Sequence, residues 1–418
     1  MKIRRILAGS TSAVALLLAS QGASAFGMMN VGDWQVEFGG NVNGFLTHTK
    51  CDPDEAGPVD AGLACGSFGA DRDVGNIRTG LLPSWFGFHA TQEKNGFKQG
   101  ITIGFQPGID SNTAIAGAPI DGGLGLNSSN FRQVFLEFSG KDWGGFKVGR
   151  DLGLFGSDAI LSDMTLLGVG TTATDFGDGG GNTTLGRIGV GYVYADWKGQ
   201  IQYTSPDWSG FQFSLAVDDP WGLVNLSGDS LNAGSFEQKG DTYGFEGKAG
   251  YTWKGTSLSG KVWASFIYQS LDTNSAIFDS TEATGFDLGG KIDVSGFEVV
   301  GYYYTGSGIG TTDFLFDALD AGGDKRDSDG YYLQASYKIP GPGTKIGISW
   351  GQSNLDRGSN DLVNTNLVKK NESVVVGIYH PLTDALYLVG EYTQTQATAH
   401  SGNQAQEDSF AFGAILFY

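Results

Sequence analysis

Apolar and polar residues alternate with a period of two along most of the chain, and this pattern limits the possible fold more than any other feature. Clear runs occur at residues 34–39, 97–106, 211–217, 243–253, 286–294, 331–339 and 345–350. Successive side chains of a β-strand point to opposite faces of the sheet, so each run predicts a strand with one apolar face. Repetition on this scale predicts an all-β chain of antiparallel strands.

The connections between these runs alternate in length. Short turns are predicted at residues 95–96, 207–210, 254–255, 295–296, 340–343 and 381–384. Long polar connections are predicted at residues 49–80, 108–130, 151–199, 219–241, 305–329 and 353–371. A soluble sandwich would also show period-two alternation. Alternating loop lengths, charges on the non-apolar face and aromatic residues at strand ends favour a transmembrane antiparallel β-barrel of about 16 strands.

The first 25 residues have the composition of a secretory signal peptide. Lys2, Arg4 and Arg5 form a basic region, residues 13–19 are apolar, and residues 23–25 (ASA) suit cleavage before Phe26. The apolar run is shorter than the roughly 20 residues that a membrane-spanning helix needs. We therefore expect a signal peptide at residues 1–25 and a single barrel domain at residues 26–418.

The charge and the cysteines narrow the possible functions. A formal net charge of −19 argues against nucleic acid as a partner. The chain contains two cysteines, Cys51 and Cys65, which we expect to pair in the oxidising compartment that an exported protein meets. The bridge would close a loop of about 15 residues outside the sheet and contribute roughly 3 kcal/mol. Acidic residues between 52 and 60 are interpreted as a solvated loop, because their spacing is not that of an EF-hand.

The last predicted strand, residues 409–418, stops with the chain itself. Phe410, Phe412, Leu416 and Tyr418 share one face of this strand. A strand that ends the chain must pair with the first strand if the barrel is to close and leave no free edge. We therefore predict that the final strand seals the barrel.

Several motifs resemble those of the Gram-negative general diffusion porins. Residues 135–150 (FLEFSGKDWGGFKVGR) resemble the strand–turn–strand before the family's third loop, and residues 203–213 (YTSPDWSGFQF) resemble the hairpin after it. Ser162-Asp163-Met164 resembles the family's Thr/Ser-Asp-Met. The aromatic end of the chain, Phe417-Tyr418, resembles the signal that barrels present to the assembly machinery.

The resemblance implies a 16-stranded homotrimer in the outer membrane of a Gram-negative bacterium. Its implied partners are outer-membrane lipids and lipopolysaccharide, the barrel-assembly machinery and small hydrophilic solutes. In the family, the third loop folds into the barrel and faces a ladder of basic side chains. Asp163 falls on the family's acidic position, whereas Leu167 and Gln202 replace a second acid and a basic residue, respectively.

Candidate pore residues follow from these patterns. The acidic candidates for the constriction are Asp151, Asp158 and Asp163. Lysines that alternate with the apolar residues of a strand should point into the barrel. These lysines are Lys98, Lys248, Lys261, Lys291 and Lys345. Arg150 lies at the foot of the third loop, where it would either anchor the loop through a salt bridge or line the pore.

The predicted function is a passive channel for small hydrophilic solutes, without cofactor, metal or enzymatic activity. The acidity of the chain favours cations, with Asp163 contributing, while the inward lysines favour anions. A solute-specific channel would need an aromatic track, for which Trp263, Tyr302, Tyr304 and Tyr332 are candidates. Further alternatives are an adhesin or scaffold barrel and a barrel enzyme, but no nucleophile motif accompanies the four histidines.

Overall fold

The computed structural model describes residues 27–65, 73–109, 131–172, 183–227, 242–273, 279–361 and 364–418. The predicted signal peptide therefore lies outside the described residues. The strands are β1 (Gly27–Val31), β2 (Trp34–Ala56), β3 (Asp73–Arg78), β4 (Trp85–Lys94), β5 (Phe97–Phe105), β6 (Gln133–Gly140), β7 (Gly144–Leu152), β8 (Trp197–Thr204), β9 (Phe211–Asp218), β10 (Gly244–Lys254), β11 (Leu258–Leu271), β12 (Thr281–Val294), β13 (Phe297–Ser307), β14 (Asp327–Lys338), β15 (Lys345–Leu355), β16 (Val368–Pro381), β17 (Leu386–Ala399) and β18 (Gln404–Phe417).

These strands form one closed antiparallel sheet. From β4 to β18 each strand pairs with the next along the chain, and β18 pairs with β2 from Ala405↔Ala56 to Phe417↔Asn41. Two of the strand positions in the barrel are each occupied by two strands. β3 and β4 pair with successive parts of one edge of β2, and β1 and β18 pair with successive parts of its other edge. The described segments therefore fill 16 strand positions, and both the barrel and its closure by the last strand are confirmed.

Tight turns join neighbouring strands at each predicted short connection. Asn95 and Gly96, between β4 and β5, have φ angles of 53° and 78°. Positive φ at both central residues is the geometry of a two-residue hairpin turn that matches the twist of the strands, and it favours Asn followed by Gly.

The two faces of the barrel wall differ in polarity. On β12, Phe286 and Leu288 are 57% and 59% exposed on the outer face, whereas Asp287 between them is 5% exposed on the inner face. The outer face thus carries apolar side chains and the inner face carries the polar ones. A soluble sandwich would bury its apolar face, so this arrangement excludes that alternative and is typical of a barrel that faces lipid.

The connection between β7 and β8, residues 153–196, is called the insert below. It contains helix α1 (Ser157–Ser162) and the 3-10 helix η1 (Met164–Leu167). Within the residues that the structure describes, no helix has the length and apolar character needed to cross a membrane.

Candidate functional site

The insert is tied to the inner face of strands far from its own. Its main chain turns into α1 at Gly156, which has a φ of 72°, a conformation that favours glycine. The N–H of Gly156 donates to Asp287 of β12 over 2.9 Å, and the N–H of Phe155 donates to Glu246 of β10 over 3.0 Å. These bonds engage main-chain N–H groups that the start of a helix leaves without an intrahelical acceptor, so they fix the start of α1.

A third carboxylate holds the far end of the helical stretch. Glu391 of β17 accepts hydrogen bonds from the N–H groups of Val169 and Gly170, over 2.7 and 2.8 Å. Tyr379 of β16 donates its hydroxyl to the other oxygen of Glu391 over 2.5 Å. We call Glu246, Asp287 and Glu391 the wall carboxylates. The sequence analysis missed them, because an acid at an inward strand position carries no signal of what it will contact.

Neutral side chains of β14 complete the attachment. Gln334 accepts from the N–H of Met164 over 2.8 Å and donates to the carbonyl of Ser162 over 3.0 Å. Tyr332 donates its hydroxyl to the carbonyl of Ala159 over 2.9 Å. The insert therefore bonds to β10, β12, β14 and β17, which together cover much of the ring.

Asp158 meets two of the predicted basic residues. Its carboxylate forms ion pairs with Lys248, over 3.3 Å, and with Lys261. Burial alone would raise its pKa, but the two lysines outweigh burial and lower the pKa of Asp158 to about 2. Lys248 also donates to the hydroxyl of Ser157 over 2.8 Å. The structure thus joins an acid of the insert to the basic wall.

Asp163 has a different environment. It caps η1 by accepting from the N–H of Thr165 over 2.9 Å, and its second oxygen accepts from the hydroxyl of Tyr192 over 3.0 Å. Burial raises the pKa of Asp163, and the neighbouring Arg187 opposes this shift. Its carboxylate is therefore engaged inside the insert, although the residue also borders the cavity described below.

Asp151 and Arg150 are neighbours in β7 and lie on opposite faces of the wall. Asp151 is 1% exposed in β7, where it pairs with Lys147 and accepts from Gln133 over 2.9 Å. Arg150 is partly exposed and, like Phe146, lies at a position of β7 whose side chain points to the outer face. Strand alternation turns its side chain away from the inner face, which favours the role of loop anchor over that of pore-lining residue, and both roles stay predictions.

The remaining predicted lysines all lie on inner-face positions but differ in their surroundings. Lys291 pairs with Glu298 over 2.5 Å. The Nζ of Lys345 lies 5.1 Å from the centre of the Tyr379 ring. Lys98 is paired in register with Glu93 and Ser139 and does not border the cavity.

A cavity of about 480 Å³ lies between the insert and the wall. Gly343, Pro381 and Lys254 place it at the end of the barrel where the short turns lie. Its basic lining residues are Lys254, Lys261, Lys291, Lys338 and Lys345. Its acidic lining residues are Asp158, Asp163, Asp293 and Glu298. Aliphatic and aromatic side chains of the insert and of β16 and β17 complete the lining.

The aromatic candidates for a solute track are buried. Trp263, Tyr302, Tyr304 and Tyr332 are at most 4% exposed and belong to an apolar cluster with the insert. Tyr302 donates to Asp287 over 3.1 Å. These side chains support the insert and are not presented to a passing solute.

Cys51 and Cys65 form a disulfide, as predicted. Its position differs from the prediction of a loop outside the sheet, because Cys51 lies within β2. The N–H of Cys65 donates to Glu407 of β18 over 2.9 Å, so the bridged segment packs on the barrel wall. At the other end of β18, Phe417 is buried against Tyr387, and the main chain of Tyr418 pairs with Gly40 in both directions.

No group of three or more His, Cys, Asp or Glu residues within the described part of the chain is arranged to hold a metal ion. A search of curated proteins finds no match to the sequence. The model of the Gram-negative porin family matches residues 10–400. The chain belongs to this family. The porin is accordingly a multi-pass β-barrel of the Gram-negative outer membrane.

Solved structures show the same fold at low sequence identity. The outer membrane channel DcaP of Acinetobacter baumannii is 12% identical, with a TM-score of 0.67 over 94% of this porin and 99% of that chain. An anion-selective porin from Comamonas acidovorans is 14% identical, with a TM-score of 0.58 over 92% and 100%. The trimer form of OmpT, an outer membrane protein of Vibrio cholerae, is 12% identical, with a TM-score of 0.52 over 93% and 100%.

Proposed function

We propose that this porin is a water-filled channel for passive diffusion of small hydrophilic solutes. The observation that carries the proposal is the charged cavity between the insert and the inner wall. A barrel of 16 strands is wide enough to enclose an aqueous channel. In this proposal the insert folds into the lumen and narrows it, and the wall carboxylates hold it there.

Asp158, Lys248 and Lys261 form the charged part of the narrowing. Acidic and basic groups that face each other across a constriction set a size limit and a local field. Asp151 and Asp163 act in this proposal as structural acids, because Lys147, Thr165 and Tyr192 already engage their carboxylates.

The cavity geometry favours anions, in contrast to the cation preference expected from the overall acidity. Among the described residues, Lys254, Lys338 and Lys345 border the cavity without an ion pair, whereas the acids in the same situation are Asp293 and Asp163, the second of which is hydrogen-bonded to Thr165 and Tyr192. Charge close to the solute path outweighs more distant charge, which salt screens over about 10 Å at 0.1 M. We therefore propose a weak preference for anions that declines as salt rises.

A non-enzymatic role fits the surroundings of the histidines. His89 contacts the hydroxyl of Thr102 over 2.8 Å, His380 contacts that of Thr344 over 2.8 Å, and His400 contacts the carbonyl of Leu355 over 2.9 Å. These are local contacts that stabilise the wall and its connections. His89 also lies 3.8 Å from Glu137 and so has a hydroxyl and an acid beside it, but Thr102 is 1% exposed and is not presented to a substrate as a nucleophile. These surroundings support a channel over a barrel hydrolase.

We propose a homotrimer, embedded in outer-membrane lipid and lipopolysaccharide, that the barrel-assembly machinery inserts after removal of residues 1–25. The apolar outer face supplies surface for both lipid and neighbouring subunits. The trimer form of the Vibrio cholerae OmpT supports the same assembly for this porin.

Single-channel recording of the purified protein in planar bilayers tests the function. We expect stepwise conductance, and a reversal potential in a salt gradient that indicates anion preference at low salt. A correctly folded, heat-modifiable barrel that gives no conductance would contradict the channel, and a cation-type reversal potential would contradict the selectivity.

A further inference from the structure

The connection between β13 and β14, residues 308–326, is buried over most of its length. Ile309, Phe314, Leu315, Phe316 and Leu319 are each at most 3% exposed. Outer loops of a barrel usually project into solvent as polar segments. This burial shows that the connection packs against other parts of the molecule.

The connection reaches strands far from its own. Phe314 lies against β8, where the Nζ of Lys198 is 5.2 Å from the centre of its ring. Phe314 also borders a small space together with Asp218, Glu246 and Gln269, which belong to β9, β10 and β11. The connection therefore extends from β13 past β11, β10 and β9, on the inner side of the wall, as far as β8.

The connection and the insert share one apolar core. Leu315 belongs to the same buried cluster as Phe155 and Ile188 of the insert and as Trp263 and Tyr304 of the inner wall. The main chains also meet, since the N–H of Tyr194 donates to the carbonyl of Thr312 over 3.0 Å. The two segments therefore pack as one body within the barrel.

Polar contacts fix the shape of the connection. Arg326 makes two 2.6 Å hydrogen bonds to Asp361 and a third, of 3.1 Å, to the carbonyl of Asp317. Leu315 and Asp317 have φ angles of 68° and 55°, which side chains with a Cβ adopt only when their surroundings impose them. The fold of the connection is thus held in one conformation.

We propose that residues 308–326 form a second internal filter that, with the insert, occupies the lumen at the end of the long connections and sets the size limit for solutes. The cavity lies at the opposite, short-turn end. A solute would enter through the gap that the two packed segments leave and then reach the basic cavity. This inference rests on the proposed channel function.

The experiment replaces residues 311–322 by a short Gly-Ser linker, which keeps the ends together because the N–H of Gly308 bonds to the carbonyl of Arg326. Single-channel conductance and liposome swelling with sugars of increasing size are measured for the wild type and the variant. We expect conductance to rise about two-fold or more, and larger sugars to enter, since the open bore of such a barrel is wide.

Point variants keep the test decisive if the replacement variant fails to assemble. Phe314→Ala removes the side chain that reaches β8 and should raise the conductance and the size limit to a smaller extent. Phe412→Ala is the matched control, because Phe412 is 63% exposed on the outer face and should leave both unchanged.

The outcomes separate the two proposals. The second filter would be overturned if the wild type conducts and the replacement variant has the same conductance and size limit. If only Phe314→Ala assembles, unchanged values in that variant would overturn it. A folded wild type without conductance would overturn the channel function, and with it this inference.

Discussion

The carboxylate of Asp158 lies between the ammonium groups of Lys248 and Lys261, which project from the adjacent strands β10 and β11. This relationship links the insert to the basic part of the wall. It also neutralises charge that would otherwise face the cavity. The pair of lysines therefore attaches the insert to the wall.

Asp158→Asn should shift the reversal potential further toward anions, because it leaves both lysines without their anion. The measurement is the zero-current potential in a salt gradient. Asp163→Asn is the comparison variant and should shift the potential less, since Asp163 is engaged by Thr165 and Tyr192. Equal shifts in the two variants would show that the assignment of roles is wrong.

The attachment by Asp158 should persist over a wide pH range. Its pKa of about 2 lies below the ordinary value of 3.8, so the contribution to stability is present above 3.8 and is lost as pH falls through about 2. The protection factors of the α1 amides, which are corrected for the intrinsic pH dependence of exchange, should therefore stay constant from pH 4 upward.

Asp313 should make the stability of residues 308–326 decrease as pH rises above the ordinary pKa of a carboxyl group. Burial, followed by the nearby Asp196, raises the pKa of Asp313 well above its ordinary value, while Lys198 opposes the shift. A raised carboxyl pKa favours folding at low pH, and this contribution is lost as pH rises through the raised value. Protection factors within residues 308–326, which are corrected for the intrinsic pH dependence of amide exchange, should therefore fall as pH rises above 3.8 and through the raised pKa.

Asp313→Asn should remove this pH dependence, because the amide cannot ionise. Asp324→Asn, at the exposed end of the same connection, is the control and should retain it. A pronounced fall in protection that survives in Asp313→Asn would assign the effect to another group.

Arg326→Ala should destabilise the connection by about 3–5 kcal/mol, because it leaves the buried Asp361 without its partner. Limited proteolysis and hydrogen exchange of residues 308–326 measure this loss. Lys325→Ala is the matched control: its exposed pair with Glu282 should contribute about 0–1 kcal/mol. Similar protection of residues 308–326 from proteolysis and hydrogen exchange in the two variants would contradict the role of Arg326 in stabilising the connection.

Replacing Cys51 and Cys65 together by serine should loosen residues 57–65 by up to roughly 3 kcal/mol while the barrel remains folded. The reason is that the bridge ties this segment to β2, whereas the ladder between β2 and β18 does not depend on it. Protease cleavage confined to residues 57–65 is the expected readout. Loss of the heat-modifiable barrel would show that the disulfide has a larger role.

Deleting Phe417 and Tyr418 should reduce the amount of assembled barrel in the outer membrane. The deletion removes the main-chain pairing of Tyr418 with Gly40 and the contact of Phe417 with Tyr387. Fractionation and heat-modifiability measure assembly, and any assembled channel should conduct normally. Wild-type levels of the truncated chain would contradict the role of these residues.

The sequence by itself determined the barrel, many of its strands, its short turns and its disulfide. It was wrong about residues 49–80, predicted as a polar connection, because the end of β2 and the whole of β3 lie there. Alternation with a period of two assigns each side chain to a face, and Asn-Gly sequences identify tight turns. The sequence also identified Asp158, Lys248 and Lys261 as pore candidates, although not as partners of one another.

Only the tertiary structure decided which inward residues meet. The wall carboxylates, the hydrogen bond from Tyr192 to Asp163 and the path of residues 308–326 all join residues that are distant in sequence. An irregular segment carries no period, so its sequence does not reveal whether it extends into solvent or folds into the lumen. That choice depends on the summed burial and hydrogen bonding offered by many strands at once, which exist as a surface only after the barrel has closed.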